Sequence, residues 1–490
     1  MTLPVSVSNS FSVTARILAV ADRTLVTGCG LLMAGVVVAH FGLLPRGAWG
    51  TDEYGTFAHF RDHGFGFLWF RFWSWSPRPL SEALIGLYAW AVTLTGRPLV
   101  VPALAVCWLG FFASSIPALS HLNRENASYR VLGIISILAF MLLGYHAFPV
   151  FYWPFGAVAY LPVVSAALFL LFSSSNERWA AKPYGAATAL ALVAAAWSSE
   201  AGALLVLIYA SFLAIRVVLT RASDQSKETA AIHFLLPVLA ALPVLWMITH
   251  NNRPADGIMN GGDIELYHHL FASLRAAALR FVYESLAFDG ESFDIRNIEK
   301  GVVIKILFFA GLHGCWATSD PASRRDRRWL PVLGLALIVT SFGMLAGGYV
   351  EFGKPCCDQH ALVRQDLGFI AIAAFAIWMP PIMPSALHQY RVMAPVVLMI
   401  ALAYAMKPRI GDLVIAYHYY FEPGIARERT WASGSSPGPG MTLYQPAPGY
   451  LFKVYIPDGF YRATEGGWAN NILIFFGKET LLVQTGSGDR

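Results

Sequence analysis

The chain has 490 residues, 56% of them apolar and only 13% charged, and a mean hydropathy of +0.52. Globular proteins carry roughly 25% charged residues, so this chain cannot coat several soluble domains, and disorder and coiled coil are excluded on the same ground. A net charge of +5 is too small to imply nucleic-acid binding, which leaves a polytopic, all-α membrane protein.

Apolar runs of about 17–25 residues suit the ~30 Å of a bilayer core. In chain order such runs cover 24–44, 98–119, 131–150, 157–173, 184–199, 201–220, 232–249, 301–318, 330–350, 366–384 and 392–406. That predicts about eleven membrane helices. The first run is longer than the ~7–15 residues of a signal-peptide core and no small-residue cleavage site follows, so it reads as a retained helix.

Orientation follows from the short loops. Arg16 and Arg23, Arg124 and Arg130, Arg178 and Lys182, Arg221 and Lys227, and the Arg324–Arg328 cluster alternate with the connectors 151–156 and 197–200, which hold no Lys or Arg. The N-terminus is therefore expected in the cytoplasm. The loops 45–97, 250–300 and 351–365 and the tail from Lys407 are expected outside. Counting Pro79–Thr95 as a span would invert every later loop, so it is expected to lie on the external membrane surface with Glu82 wet. The aromatic run Leu68–Trp75 before it suits the headgroup boundary.

The domains expected are a membrane part over 1–406 and a small mixed α/β external domain over 407–490. In the latter, Gly434–Gly440 reads as a turn, and Leu451–Ile456 and Ile472–Phe476 read as strands. Cys29, Cys107 and Cys315 sit in apolar runs and read as packing residues. Cys356 and Cys357 lie in a polar loop, and no metal-binding spacing is present.

Chemistry is sought on the external face, because the cytoplasmic loops carry no phosphate-binding glycine pattern. Asp52 and Glu53 follow the first span directly, as a general base or a cation site; the same residues also serve as ordinary acids at a helix start. Arg78, Arg97, Trp153, Tyr160, Glu200, Lys354, His360 and Arg364 converge on that face. Charged groups at such depths are retained where they line a wet cavity or meet a charged ligand. Glu200 and Arg364 also read as interfacial anchors, and His360 as an ordinary loop histidine.

These residues resemble the polytopic GT-C-fold glycosyltransferases that use polyprenyl-phosphate-linked sugars. The resemblance rests on Asp52-Glu53 after the first span, Pro77-Arg78-Pro79-Leu80 leading into a surface helix, and Gly96-Arg97 before the second span. It rests also on Trp153 to Tyr160, the Trp197 to Glu200 turn and Trp468 to Asn471 in the tail. It implies a multi-pass protein of a bacterial inner membrane that moves a hexose or pentose, with inversion, from a polyprenyl-phosphate donor to a glycan, lipid or protein acceptor. Asp52 would be the base and Glu53 its partner. Arg364 would bind the donor phosphate first, with Arg78, Arg97 and Lys354 behind it, while Glu200, Trp153, Tyr160 and His360 bind substrate. Family members differ in their use of a divalent cation such as Mg or Mn, and no ligand set stands out here. A glycan polymerase or ligase using a lipid-diphosphate donor, with Arg253, Arg275 and Arg280, stays open beside this reading. So do a flippase for lipid-linked glycan and a non-catalytic envelope scaffold.

Overall fold

The computed structural model describes residues 8–74, 77–120, 127–144, 147–175, 182–219, 224–250, 269–288, 294–317, 329–355, 358–380, 387–418, 421–444, 459–462 and 468–484. The arginine cluster 324–328, Arg253, Cys356, Cys357 and the strand expected at 451–456 lie outside them. The fold is mostly helical, with one small sheet near the C-terminus.

The chain begins with α1 (Ser8–Phe41), then three helices in the first loop, α2 (Thr51–His63), α3 (Phe65–Ser74) and α4 (Pro79–Thr95). There follow α5 (Val100–Ala113), a short α6 (Ile116–Leu119), α7 (Ala127–Leu142), a π-helical turn (Phe148–Tyr152) and α8 (Pro154–Ser174). Next come α9 (Lys182–Ser198), α10 (Glu200–Leu219), α11 (Asp224–His250), α12 (Leu270–Leu286) and α13 (Ile295–Trp316). The last long helices are α14 (Leu330–Phe352), α15 (Asp358–Trp378) and α16 (Leu387–His418). The C-terminal part holds α17 (Phe421–Ser435), β1 (Met441–Tyr444), β2 (Gly459–Arg462), α18 (Trp468–Phe476) and β3 (Thr480–Val483).

Among the described residues five stretches are long and apolar enough to cross a membrane: Val20–Arg46, Pro154–Ser174, Leu330–Phe352, Asp358–Trp378 and Arg391–Tyr417. Shorter apolar helices run beside them in α5, α7, α9, α10 and α11. The Pro154–Ser174 window is 83% buried and the Val20–Arg46 window 28%, so α8 is the axis of the bundle and α1 a flank. Phe140, Phe308 and Phe369, from α7, α13 and α15, meet in its middle with ring centroids 4.7–6.1 Å apart.

Side-chain contacts sort the helix ends. Asp22 of α1 meets Tyr129 at the start of α7, and Arg391 at the start of α16 donates to the Ala317 carbonyl just after α13. At the other end, His40 near the end of α1 bonds Tyr152 before α8, and Arg46 donates to the Tyr417 carbonyl near the end of α16. That second end gathers everything of chemical interest. Helix α4 lies across it: Ser81 in its first turn donates to the carbonyl of Ser198, the last residue of α9, and Gly96 at its far end accepts from Trp431 of α17. Both ends of α4 are thus at one level, as a surface helix requires. Its buried stripe (Ile85, Tyr88, Ala89, Val92) faces inward and Leu87, Trp90 and Leu94 face out.

Four expectations change. Helix α16 continues past the apolar run 392–406 to His418; Arg409 is buried and pairs with Asp412 one turn on, so charge interrupts the apolar run without breaking the helix. Part of the 250–300 loop is helical, as α12, and packs against α14. Ile472–Phe476 belongs to helix α18 rather than a strand. Ala469, Ile472, Leu473 and Phe476 recur at helical spacing, and that face is seated on α2, where Asn471 leaves no room for a side chain at Gly55. Finally Glu82 is 5% exposed and paired with Arg71, not wet. The sheet has order β1-β3-β2, with β1 parallel and β2 antiparallel to β3. Cys29 and Cys315 are buried as expected, and Cys107 is half-buried.

Candidate active site

The acid pair opens α2. Gly50 enters the helix in an extended conformation, and Gly64 ends it at φ 59°, a left-handed geometry that favours glycine, so α3 folds back beside it. Asp52 and Glu53, adjacent in sequence, point to different surroundings. Glu53 is fully buried; Oε1 accepts from the Phe155 backbone N–H at 3.3 Å. Trp153 brings its indole N–H beside Oε2 without hydrogen-bonding geometry. Burial raises the Glu53 carboxyl to about 8; the Trp153 indole opposes this and the neighbouring Asp52 charge adds to it. Its burial thus favours the protonated form of Glu53 more than that of an ordinary glutamate.

Asp52 is exposed. The protein volume around it is still dense enough that burial raises its carboxyl above the usual aspartate range, with Arg71 pulling the other way. Among the described residues it makes no ion pair or hydrogen bond through its carboxylate, so it can accept a proton from an incoming group.

Arg71 comes from the aromatic run of α3. Its Nε donates to both carboxylate oxygens of Glu82 at 2.9 and 3.1 Å, and its Nη1 donates to Thr56 on α2 at 2.9 Å. It ties α2, α3 and α4 together under Asp52. This residue was not among those expected from sequence; the one signal is a single arginine within seven residues that are otherwise aromatic, aliphatic or serine.

The next cluster joins four expected residues. Arg78 forms a two-pronged pair with Glu200 at 2.8 and 2.9 Å, and its guanidinium lies 5.7 Å over the Tyr160 ring. Tyr160 in turn hydrogen-bonds His360 Nε2 at 3.0 Å. Burial works against the Arg78 charge, and Glu200, Tyr160 and Glu82 more than restore it, so its pKa is raised. The turn feeding Trp153 and Tyr160 depends on Gly156, where a Cβ would fall 1.7 Å from the Pro149 carbonyl oxygen.

One turn beyond His360, about 6 Å along α15, Arg364 is 6% exposed. Its Nε and Nη2 both donate to Glu284 Oε2, at 3.0 and 2.8 Å, while Arg280 takes Glu284 Oε1 at 2.7 Å. Among the described residues Arg364 Nη1 has no hydrogen-bond partner. Arg364 lines a cavity of about 300 Å³ together with Lys305, Gln365, Phe281, Ile372 and Phe375. Its wall is polar at the level of Arg364 and apolar toward Phe375, about 16 Å deeper along α15.

Two expected residues stand apart. Arg97 is exposed at the far end of α4, some seventeen helical residues (about 25 Å) from Arg78. Lys354 follows the glycine that ends α14, half-buried in the connector to His360. Tyr444 of β1 enters unexpectedly: it is buried, packs on Tyr54, and its pKa is raised by burial and by Glu53. No group of three metal-ligating side chains is present among the described residues. Comparison of the sequence with protein-family profiles and with curated proteins returns no match.

Proposed function

We propose that the chain is a polytopic membrane glycosyltransferase of the GT-C type, with eleven membrane helices, its acid end on the non-cytoplasmic side and a polyprenyl-phosphate-linked sugar as donor. The observation that carries this reading is the pair of carboxyls with divided roles at one end of the bundle. Asp52 is exposed and, among the described residues, its carboxylate is unpaired, while Glu53 beside it is buried, which raises its pKa. Asp52 takes the proton of the acceptor hydroxyl as its oxygen attacks the anomeric carbon. The bond from that carbon to the phosphate oxygen breaks on the opposite face, and the configuration inverts. General-base help of this kind contributes about 10²–10⁴-fold.

The leaving group is a lipid phosphate. Arg364 supports the reading because it retains one unpaired nitrogen at the polar mouth of an otherwise apolar cavity. An isoprenoid chain would run down toward Phe375, with Lys305 adding charge at the mouth. Arg78 and Glu200 instead neutralise one another, so in this reading they hold the Tyr160–His360 wall in place.

The test is transfer by the purified chain in proteoliposomes given a panel of polyprenyl-phosphate sugars and cell-envelope acceptors. Asp52→Asn is expected to lose at least 10²-fold in turnover at unchanged expression. Unchanged turnover removes the assignment. A second reading, movement of a lipid-linked glycan, is favoured by Asp366. That carboxyl lies eight residues inside α15, fully buried, and neither oxygen has a partner among the described residues. Substrate crossing without a new glycosidic bond, abolished by Asp366→Asn, would select it.

A further inference from the structure

Beyond the acid pair, the outer half of α2 carries two groups that the proposed reaction does not use. His59 and His63 are four residues apart and both exposed. Their rings are nearly parallel, 13° between planes and 6.3 Å between centroids. His59 also lies against Phe67 of α3, with ring centroids 5.0 Å apart and 29° between planes, which limits its rotation. The nearest cation in sequence is directed elsewhere: Arg61 donates to the carbonyls of Phe475 and Ile474 and to Asp62. Arg61 is therefore engaged by α18 and by Asp62 rather than by the two imidazoles. They lie roughly 10 and 16 Å along the helix from Asp52, on the same stripe of α2, since seven and eleven residues are close to whole numbers of turns.

Two histidines at this spacing on one helix face are the arrangement by which a helix offers two imidazole nitrogens to one divalent ion. Imidazole suits Zn, Cu and Ni, whereas carboxylate sites suit Mg and Mn. The geometry points to a two-histidine site for a borderline transition-metal ion, held by His59 and His63 with water completing its shell, bracing the last turn of the helix that carries Asp52. Two protein ligands make the site weaker than a three- or four-ligand zinc site. The ligand type orders its preference: Cu²⁺ above Ni²⁺, and Mn²⁺ the weakest. A bound ion that favours the folded chain raises its unfolding temperature by mass action.

The experiment uses the full chain, with any polyhistidine tag removed, in detergent micelles. It is titrated calorimetrically with CuCl₂, NiCl₂ and MnCl₂, and its thermal unfolding is followed with and without NiCl₂. One equivalent of Ni²⁺ is expected, with Cu²⁺ tighter, Mn²⁺ weaker, and a higher unfolding temperature on Ni²⁺ addition. His59→Ala and His63→Ala are each expected to weaken Ni²⁺ at least tenfold and to cancel the thermal shift, while leaving the metal-free unfolding temperature unchanged. Asp52→Asn is expected to bind Ni²⁺ as the parent does, which separates this site from the fate of the glycosyltransferase reading. No Ni²⁺ binding by the parent chain, or binding of equal strength by the His59→Ala/His63→Ala double variant, overturns the site.

Discussion

The carboxylates at the chemical end of the bundle divide into two regions. Glu82, Glu200 and Glu284 each hold an arginine at hydrogen-bonding distance: Arg71, Arg78, and the Arg364–Arg280 pair. Asp52 and Glu53, on the first turn of α2, hold none. In the first region Arg71–Glu82, Arg78–Glu200 and Arg364–Glu284 join different helices, the last two across 122 and 80 positions, while Arg280–Glu284 lies within one helix; breaking one of the inter-helix pairs leaves a partly desolvated guanidinium without compensation. The second pair is kept proton-hungry by its surroundings, which suits a group that must accept or keep a proton. What separates the acids of this end is hydrogen bonding rather than depth: among the described residues the exposed Asp52 and the buried Glu53 have no guanidinium at hydrogen-bonding distance, although Arg71 still acts on Asp52 through space.

The largest test of this contrast is Asp52→Asn against Glu200→Gln. The first is expected to remove 10²–10⁴-fold of turnover with no change in unfolding temperature, the second to destabilise by about 3 kcal/mol because Arg78 is left unpaired. Activity measured per folded molecule and thermal unfolding distinguish them, and equal thermal losses would dissolve the comparison. Next in size is the double change Arg78→Met/Glu200→Leu, expected to recover most of that stability because the pair's desolvation cost leaves together with its attraction. Unfolding no more stable than in Glu200→Gln would show that the pair does more than crosslink.

A smaller effect concerns proton linkage at Glu53. Its folded carboxyl keeps a proton up to about pH 8, against an ordinary value of 4.5. The folded chain therefore binds more protons than the unfolded chain between those values, and this group's contribution to stability falls as pH rises through that window and levels off above it. Glu53→Gln is expected to flatten that slope, read as unfolding temperature at pH 5, 7 and 9. A slope unchanged by the substitution would place the titration elsewhere. Smallest is Arg97→Ala, expected to move stability by no more than about 0.5 kcal/mol and turnover by less than the Arg364→Met variant does. A larger loss than at Arg364 would relocate the phosphate contact to the end of α4.

Much of this architecture is legible in local hydropathy. The apolar runs read from the sequence coincide largely with helices, although 98–119 is divided between α5 and α6 and the runs 131–150 and 366–384 outlast α7 and α15; Pro79–Thr95 is a helix of its own, α4. The gathering of Asp52, Trp153, Tyr160, Glu200 and His360 at one end also follows from the alternation of helix directions. Pairing is not legible that way. Arg78 and Glu200 are 122 positions apart, and Arg364 and Glu284 are 80 apart, so whether each is a ligand group or a crosslink is decided by tertiary contact alone. The end of α16 was hidden because Arg409 and Asp412 compensate each other inside the helix. The helical state of α18 was available in principle, in the spacing of Ala469, Ile472, Leu473 and Phe476, but a short apolar run satisfies strand and helix patterns alike.

Helix α18 and strand β1 have a consequence for biogenesis. The wall behind Tyr54 and Glu53 is supplied by Phe475, Phe476 and Tyr444, from the final fifty residues of the polypeptide, while the acids themselves emerge at positions 52 and 53. During synthesis the start of α2 is therefore made long before its aromatic wall, and the contacts around Tyr54 and Glu53 are completed only by the last residues delivered. Loss of the last residues would therefore uncover the aromatic faces of Trp49 and Tyr54 that Phe475 and Phe476 now cover.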